Sequence, residues 1–311
     1  MRLLVTGGNG FVGREVVRLL YNQHEVGVID SLRFGKLRFS QTEASKFRLY
    51  QGDICDLEFV RTVVNDFASD IIIHLAAIHY IPECEQFPGQ AVSTNVAGTV
   101  NLLSVCPSTC QFIFTSSGAV YQSSLQAHGE DDMLRPSDIY GYSKLQGEQY
   151  VQYMAQLRDF SAVIVRLFNV IGPGETNPHV LPEIIAQLKS GHHVLQLGNT
   201  SSQRDYISVY DAARGFASIA LANLLSPGEC TAVNLGTQEA HSVDHLLEIL
   251  RSVSGIDFDV VTDTSRLRKV DSPVLLANRS KMLSMFGWKP HFSLEETLQM
   301  TWDNPDLPEY L

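Results

Sequence analysis

A tyrosine and a lysine spaced four residues apart, Tyr140 and Lys144, carry the clearest chemical signal in this sequence. On a helix, a phenol and an ammonium at this spacing share one face and can meet. A nearby cation stabilises phenolate, so the pair predicts a tyrosine whose pKa is lowered and which exchanges a proton near neutral pH. A solvated helix edge can carry the same spacing, and the residues upstream decide between the two interpretations.

A glycine-rich turn joins the first predicted strand to the first predicted helix, with the sequence Gly7-Gly8-Asn9-Gly10-Phe11-Val12-Gly13. Glycines at 7, 10 and 13 permit a tight turn, close approach of the backbone to a pyrophosphate, and close packing of helix on sheet. The start of the helix offers free amide groups and the positive end of the helix dipole to phosphates. The turn therefore predicts a dinucleotide site.

Acidic residues at two strand ends refine the predicted cofactor. Asp30 ends the second predicted strand, where its carboxylate can accept hydrogen bonds from the adenosine ribose and would repel a 2′-phosphate. NAD is therefore favoured over NADP, although Arg33 nearby keeps NADP open. Asp53 and Ile54, after the third strand, are predicted to hold the adenine edge, and the alternative for Asp53 is a turn residue.

Strand-like apolar runs alternate with helical stretches, which predicts an α/β fold with a Rossmann-type doubly wound parallel sheet and a smaller C-terminal lobe. We expect residues 1–167, rejoined by 205–236, to form the NAD-binding domain, and residues 168–204 and 237–311 to form the substrate-binding lobe. The predicted strands are Met1–Thr6, Glu25–Asp30, Lys46–Gln51, Ile71–Leu75, Gln111–Thr115, Ala162–Leu167, Tyr206–Val209 and Ala232–Leu235. The predicted helices include Phe11–Asn22, Leu57–Ala68, Ala91–Val105, Ser143–Leu157, Leu181–Lys189, Val243–Ser254 and Leu294–Trp302.

The composition argues against several classes of partner. The 311 residues carry a formal net charge of −11 and no basic run, which argues against nucleic acids and anionic membranes. The longest apolar stretch is too short to span a bilayer, and we expect a cytoplasmic protein. The five cysteines lack zinc-site spacing, so we expect buried free thiols and no metal.

An ordered set of motifs makes the chain similar, over nearly its whole length, to one superfamily. The chain resembles the extended short-chain dehydrogenase/reductase superfamily, specifically its NAD-dependent sugar-nucleotide epimerases, dehydratases and reductases. The motifs are the glycine turn, Gly52-Asp53-Ile54, His74-Leu75-Ala76-Ala77, Asn95-Val96-Ala97-Gly98-Thr99, Thr115-Ser116-Ser117, Tyr140 to Lys144, Arg166-Leu167-Phe168-Asn169, Gly172-Pro173-Gly174 and Arg204-Asp205-Tyr206.

The resemblance implies a catalytic group of Ser117, Tyr140 and Lys144. Tyr140 would move the proton of a sugar hydroxyl while a hydride passes between the same carbon and NAD. Lys144 would bind the nicotinamide ribose and lower the tyrosine pKa, and Ser117 would bond the reacting oxygen; from position alone, Ser117 is a strand-end cap. The implied cofactor-binding residues are Gly7, Gly10, Phe11, Val12, Gly13, Asp30, Asp53, Ile54, Leu75, Ala76, Ala77 and His79, together with Tyr140 and Lys144.

For the nucleotide-sugar substrate, the resemblance implies contacts from both lobes. Arginine suits a diphosphate because its planar fork makes two bonds and keeps its charge. An Arg204–Asp205 ion pair is the structural alternative, and His179 could simply be a solvated loop residue. The implied substrate-binding residues are Ser117, Asn169, His179, Val180, Arg204 and Arg268.

The two residues after Ser117 reduce the number of reactions that the site could catalyse. Gly118 and Ala119 stand where the 4,6-dehydratases of the superfamily place an acid and a base, so a dehydratase is disfavoured. An epimerase that retains NAD is preferred because of Asp30, and a reductase of 4-keto-6-deoxy sugars is the alternative. A protein that only senses a dinucleotide is a further alternative, disfavoured because the serine, tyrosine and lysine occur together. Apolar residues in excess on Ala91–Val105 and Ser143–Leu157 predict a homodimer; burial within the monomer is the alternative.

Overall fold

The computed structural model describes residues 1–33, 35–266 and 272–306. The strands are β1 (Arg2–Thr6), β2 (Glu25–Asp30), β3 (Arg48–Gln51), β4 (Ile71–His74), β5 (Gln111–Ser117), β6 (Ser161–Leu167), β7 (Asn169–Ile171), β8 (Val194–Leu197), β9 (Gln203–Ser208), β10 (Cys230–Leu235), β11 (Ala240–Ser242), β12 (Asp259–Thr262) and β13 (Val274–Leu275). The helices are α1 (Phe11–Leu20), α2 (Gln41–Ala44), α3 (Leu57–Phe67), α4 (Ile81–Gln86), α5 (Pro88–Val92), α6 (Gly98–Val105), α7 (Ile139–Arg158), α8 (Val180–Lys189), α9 (Val209–Ala222), α10 (Val243–Ser254), α11 (Ser280–Phe286) and α12 (Leu294–Asp303).

The largest sheet has seven parallel strands in the order β10-β6-β5-β4-β1-β2-β3. Its central strands are apolar on both faces, as in Ile71-Ile72-Ile73, because helices cover both sides of the sheet. Alternate residues enter two cores: Leu3 and Val5 pack toward α1 and α9, and Leu4 packs toward α3, α6 and α7. The predicted doubly wound α/β fold is confirmed.

The strand order reverses between β1 and β4, which places a crevice at their carboxyl ends. The chain leaves β1 toward β2 and β3, then returns to the other side of β1 as β4. Crevices form where the connections from two neighbouring strands leave in opposite directions, because no helix covers the gap there. The glycine turn follows β1 and the Leu75–Ala77 segment follows β4, so both motifs lie at this crevice.

The strand predicted at Tyr206–Val209 does not join the large sheet. It is β9, which pairs with β7 and β13 in parallel and with β11 antiparallel. The place beside β6 is taken by β10, so β9 pairs instead with the short strand that directly follows β6. The return to the large sheet begins one element later, with α9 and β10.

A third core lies between α8, α10 and α12. Ile184, Leu246 and Leu298 are fully buried and join α8, α10 and α12. The parallel pair β8–β12 borders this core, with Leu195 buried inside it. The smaller lobe therefore has an apolar interior of its own.

The helix predicted as one segment over Ala91–Val105 is interrupted. Helix α5 ends at Val92, a π-helical turn covers Ser93–Ala97, and α6 follows from Gly98. Buried residues recur every three or four positions through the turn, at Ala91, Asn95, Gly98, Thr99 and Leu102, so the pattern that predicted one helix does not reveal the turn. Such turns are frequent at functional sites.

An acidic residue near the carboxyl end of the described chain clamps two arginines. Asp306 Oδ2 accepts a hydrogen bond of 2.9 Å from Arg14 and another of 2.9 Å from Arg38. Both arginines also donate to the Gly174 carbonyl, and the Gly174 amide donates to Pro305. The clamp joins the start of α1 to the loop after β7.

Two further expectations can be compared with the structure. All five cysteines are free, as predicted, but only Cys84, Cys106 and Cys110 are buried, whereas Cys55 and Cys230 are partly exposed. Within residues 1–33, 35–266 and 272–306, none of the helices is both long and apolar enough to cross a bilayer.

The close packing at the glycine turn predicts that Gly13→Ala destabilises the protein. A Cβ at Gly13 would lie 2.1 Å from the Gly7 carbonyl oxygen, so the turn must shift. We expect the free energy of unfolding to fall by about 1–3 kcal/mol in urea titrations. Gly89→Ala is the control: it is also helical but meets nothing within 4 Å, and stability should stay equal or rise by less than about 1 kcal/mol. Equal stability of the two variants would contradict the proposed steric cause.

Candidate functional site

A cleft of about 1660 Å³ opens at the crevice between β1 and β4 and extends to the smaller lobe. Every predicted site residue within the described ranges lines it, and Arg268 lies outside those ranges. The lining residues among them are Gly7, Gly10, Phe11, Val12, Gly13, Asp30, Asp53, Ile54, Leu75, Ala76, Ala77, His79, Ser117, Tyr140, Lys144, Asn169, His179, Val180 and Arg204.

The glycine turn forms a cradle that a side chain would fill. Gly7 has a φ of +70°, and a Cβ there would lie 2.7 Å from the Ala76 amide nitrogen. The turn opens toward the cleft at the amino end of α1, where the first amides of the helix are available to an anion. A dinucleotide pyrophosphate fits this backbone cradle.

Asp30 connects the cradle to the end of β2. Its carboxylate accepts hydrogen bonds from the amides of Asn9, at 2.9 Å, and Leu32, at 2.8 Å. Burial raises the pKa of Asp30, and these two amide bonds oppose the rise. Arg33, which could have favoured a 2′-phosphate, forms an ion pair with Glu83.

Asp53 is both a turn residue and a residue of the cleft, the two interpretations that its position allowed. Asp53 Oδ1 accepts from the Cys55 amide at 2.9 Å, which is a turn, and the residue also lines the cleft. Ile54 is buried and packs against the first residue of α6, Gly98, where a Cβ would meet the isoleucine at 2.7 Å.

A chain of buried side chains supports the segment after β4. The Thr99 hydroxyl donates its single proton to the Asn95 carbonyl at 2.7 Å, so it must accept from His74 Nε2 at 2.9 Å. His74 is neutral because burial lowers its pKa to about 3, so Nδ1 accepts from Thr6 at 2.6 Å. Thr6 in turn accepts from the Ala76 amide, which fixes the floor of the cleft.

Asn95, in the π-helical turn, holds the next residues along. Its side chain donates to and accepts from the Ile78 backbone, each at 2.8 Å, and donates to Ser143 at 2.9 Å. The Ser143 hydroxyl donates to the Tyr140 carbonyl at 2.7 Å. The π-turn therefore connects the β4 loop to the first turn of α7.

Ser117, Tyr140 and Lys144 meet at the wall of the cleft. Tyr140 and Lys144 share one face of α7, whose start is capped by Asp138. The Ser117 side chain lies close enough to the Tyr140 phenol to lower its pKa, and it accepts from the Ala119 amide at 3.2 Å, so it is both a cap and a neighbour of the phenol. Lys144 is only 2% exposed, and its ammonium donates to the Thr115 carbonyl at 2.8 Å.

The expected lowering of the tyrosine pKa by Lys144 is not found. Burial raises the pKa of Tyr140, and the bond from Ser117 opposes this only in part. Burial also lowers the pKa of Lys144, to about 8, and its Nζ lies 5.9 Å from the centre of the Tyr140 ring. The spacing correctly predicted the shared face but not the cost of burying both groups.

An ion pair behind the cleft fixes α7 to the sheet. Arg166 and Glu148 are buried and bond through two nitrogen–oxygen pairs, at 2.8 and 3.0 Å. Glu148 also accepts from Ser116, and Arg166 donates to the Tyr121 hydroxyl at 2.9 Å. Both carboxylate oxygens are therefore engaged away from Lys144.

On the smaller lobe, Arg204 and Asp205 have different surroundings. Arg204 lines the cleft and donates to the Ser272 carbonyl at 2.8 Å. Asp205 is fully buried and accepts from the Thr237 hydroxyl and from the amides of Thr237, Gln238 and Ala277. These bonds bind Asp205 to the segments after β10 and β13.

Two polar groups of the cleft were missed by the sequence reasoning. Glu175 is buried beside His79 and His179, and Arg266 forms ion pairs with Glu183 and Asp263. The position of Glu175, directly after the Gly172-Pro173-Gly174 turn, was the one available signal. Gly172 and Gly174 both have positive φ, and this turn directs the following chain into the cleft.

Comparisons with known proteins identify the relatives of this chain. A model of the NAD dependent epimerase/dehydratase family matches residues 3–236. A UDP-glucose 4-epimerase of Streptococcus mutans is 32% identical, over 97% of this chain and 96% of the relative. A GDP-6-deoxy-D-mannose reductase of Pseudomonas aeruginosa is 27% identical, over 96% and 95%.

A solved structure extends the similarity to the fold. The Thermus thermophilus UDP-glucose 4-epimerase, in complex with NAD, has a TM-score of 0.85 and 27% identity, covering 97% of this chain and 98% of the other. The predicted superfamily, enzymatic class and NAD cofactor are confirmed. The prediction of a nucleotide-sugar epimerase is also confirmed, and the reductase is the weaker alternative. This chain belongs to the NAD dependent epimerase/dehydratase family.

Proposed function

We propose that this protein inverts one hydroxyl-bearing carbon of a UDP-linked sugar, using NAD that returns to its starting state in each cycle. The observation that carries the proposal is the meeting of Ser117, Tyr140 and Lys144 with the glycine cradle in one cleft. Oxidation of an alcohol removes a hydride from the carbon and a proton from the hydroxyl oxygen, and a tyrosine beside a glycine cradle supports this pair of transfers. UDP is the nucleotide that several relatives' names carry.

Each member of the group has a proposed task. Tyr140 takes the proton of the sugar hydroxyl and returns it after the hydride comes back to the other face. Ser117 bonds the same oxygen, and Lys144 bonds the nicotinamide ribose. NAD, when bound, supplies the hydride acceptor and a positive charge near the phenol. Such a charge opposes the effect of burial, which by itself raises the pKa of Tyr140.

The remaining predicted residues are proposed to hold the two ligands. Asp30 would bind the adenosine ribose, and Asp53 with Ile54 the adenine edge. Leu75, Ala76, Ala77 and His79 would border the nicotinamide side. Asn169, His179, Val180, Arg204 and Arg268 are proposed for the nucleotide-sugar, so residues 168–204 and 237–311 would act as the substrate lobe.

A one-way reductase of 4-keto-6-deoxy sugars is the second candidate, because one relative of nearly the same length carries that name. The two reactions differ in their demand for reduced cofactor. Incubation of the protein with UDP-, GDP-, CDP- and dTDP-sugars, without added cofactor, should give an isomerised UDP-sugar. Conversion only with stoichiometric NADH or NADPH would favour the reductase.

Replacing the proposed proton carrier should abolish turnover without loss of the fold. We expect Tyr140→Phe to lower kcat by about 10²–10⁴-fold, because general acid–base catalysis contributes on this scale. Tyr142→Phe is the matched control, since Tyr142 lies on the same helix but is 52% exposed, and it should retain full activity. Turnover by Tyr140→Phe within about threefold of the unmodified protein would refute the assigned role.

Removing the buried ammonium should stabilise the protein while it inactivates the enzyme. Burial lowers the pKa of Lys144 from 10.5 to about 8. Keeping the ammonium charged therefore costs the folded state free energy, and below pH 8 this cost is fully present. At pH 7 we expect Lys144→Met to unfold with a free energy higher by on the order of 1–3 kcal/mol. The gain should shrink as the pH rises from 8 toward 10.5, because the folded state then loses its proton first.

Urea titrations at pH 7 and pH 9.5 measure this pH dependence. Lys289→Met is the control: Lys289 is exposed, and its replacement should change stability by less than about 0.5 kcal/mol at both values. A Lys144→Met protein that is less stable than the unmodified one at pH 7, by an amount independent of pH, would rule out the charge penalty.

We also propose a homodimer in the cytoplasm. Helix α7 presents Tyr150, Tyr153 and Leu157, which are 44, 61 and 62% exposed, and Val92 at the end of α5 is 44% exposed. A shallow depression lined by Val92, Tyr150 and Tyr153 joins the two helices. Apolar surface of this kind on neighbouring helices suits a second copy of the chain.

A charge in the centre of this surface should separate the subunits. We expect Tyr153→Glu to elute as a monomer, with the mass of one chain by light scattering, while the unmodified protein has the mass of two. Leu283→Glu is the control, because Leu283 on α11 is 47% exposed outside the surface, and it should stay dimeric. A monomeric unmodified protein would contradict the proposal.

A further inference from the structure

Two histidines and a glutamate from distant parts of the chain converge on one wall of the cleft. His79 lies in the loop between β4 and α4, and Glu175 and His179 lie in the loop between β7 and α8. One ligand atom of each residue lies within 4.8 Å of those of the other two. His79 Nε2 is 4.0 Å from Glu175 Oε1, and the two imidazole rings are 5.7 Å apart between centres.

The glutamate is fixed in the centre of this group. Its side chain is 8% exposed, and Oε1 accepts from the amides of Thr176, at 2.7 Å, and Asn177, at 3.1 Å. These bonds come from the residues that follow it, so the loop itself orients the carboxylate toward the histidines. A ligand carboxylate that is hydrogen-bonded by its surroundings is typical of protein metal sites.

The histidines are also held by neighbours. The Asn177 amide donates to His79 Nε2 at 3.1 Å, so this nitrogen presents a lone pair on the side of Asn177 and Glu175. The Tyr80 ring packs edge-on against His179, with centres 5.3 Å apart and planes at 81°. A cation at Nε2 would replace the Asn177 amide as the partner of that lone pair.

The donor set selects the class of cation. Two imidazoles and one carboxylate suit a borderline divalent metal such as Zn²⁺, whereas Mg²⁺ and Ca²⁺ prefer sites built from oxygen alone. Zinc bonds of about 2.0–2.2 Å in a tetrahedron place ligand atoms roughly 3.4 Å apart. The separation of 4.0 Å between His79 Nε2 and Glu175 Oε1 exceeds this, and rotation of the His79 side chain, which is 36% exposed, can shorten it.

We propose that His79, Glu175 and His179 bind one divalent cation of the zinc type. Three protein ligands leave a fourth position, and because all three residues line the cleft, that position faces the cavity. Water or an oxygen of a bound ligand can fill it. This proposal departs from the expectation from sequence. No metal was expected there, because only the spacing of the cysteines was considered.

Zinc binding to the purified protein, treated with a chelator and kept with its NAD, tests the proposal by calorimetry. The background variant is His245→Ala, because His241 and His245 stack at the surface beside Glu239 and Glu248 and could bind zinc separately. We expect this protein to bind one Zn²⁺ per chain. No sugar nucleotide is present, so the outcome does not depend on the proposed reaction.

In the same background, His79→Ala, Glu175→Gln and His179→Ala should each weaken Zn²⁺ binding by at least tenfold. Co²⁺ should give the visible absorption of a four-coordinate site, and this absorption should be lost in Glu175→Gln. His193→Ala, an exposed histidine outside the cluster, should bind Zn²⁺ like the background protein. Circular dichroism and thermal melting identify any variant that fails to fold, and the variants that fold then decide whether the proposed site binds zinc. Absence of stoichiometric binding, or equal affinity in all folded variants, would overturn the proposal.

Discussion

The burial of one ammonium group sets the demands on the rest of the site. Lys144 is 2% exposed and donates to the Thr115 carbonyl, a weaker partner for a charge than a carboxylate. The carboxylate one helical turn later, on Glu148, is occupied by Arg166 and Ser116. Its engagement leaves the ammonium available to a ligand, and burial lowers the pKa of the lysine to about 8. Buried charged groups with shifted pKa values of this kind are common at functional sites.

The buried charge of Lys144 also explains why the floor of the cleft is polar and rigid. A helix that carries a buried charge must be held at a fixed rotation, and the cap by Asp138 and the Ser143–Asn95 bond do this at the start of α7. From Asn95 the hydroxyl and imidazole groups continue to Thr6 below the glycine cradle. Once each proton is assigned, these hydrogen bonds all run in one direction, which fixes the tautomer of His74.

Local features were predictable from sequence, and long-range ones were not. The glycine turn, the parallel strands and the shared face of Tyr140 and Lys144 depend on a few neighbouring residues, and the fold and family were predicted correctly from them. The predicted position of β9 was wrong, because the pairing of this strand depends on which other strand occupies the edge beside β6. The raised pKa of Tyr140 depends on burial, which spacing does not report. Glu175 approaches His79 only through the conformation of the loop after β7, and no periodic pattern marks such a meeting.

The clamp at Asp306 makes the stability of α1 depend on a residue far along the chain. Arg14 is only 4% exposed, so without the Asp306 carboxylate its charge would remain buried with carbonyl partners alone to offset the cost. The first helix therefore depends for its full stability on a residue 292 positions further along the chain. Removal of the Asp306 carboxylate alone would leave a buried guanidinium without its counter-charge at the helix that carries the glycine turn.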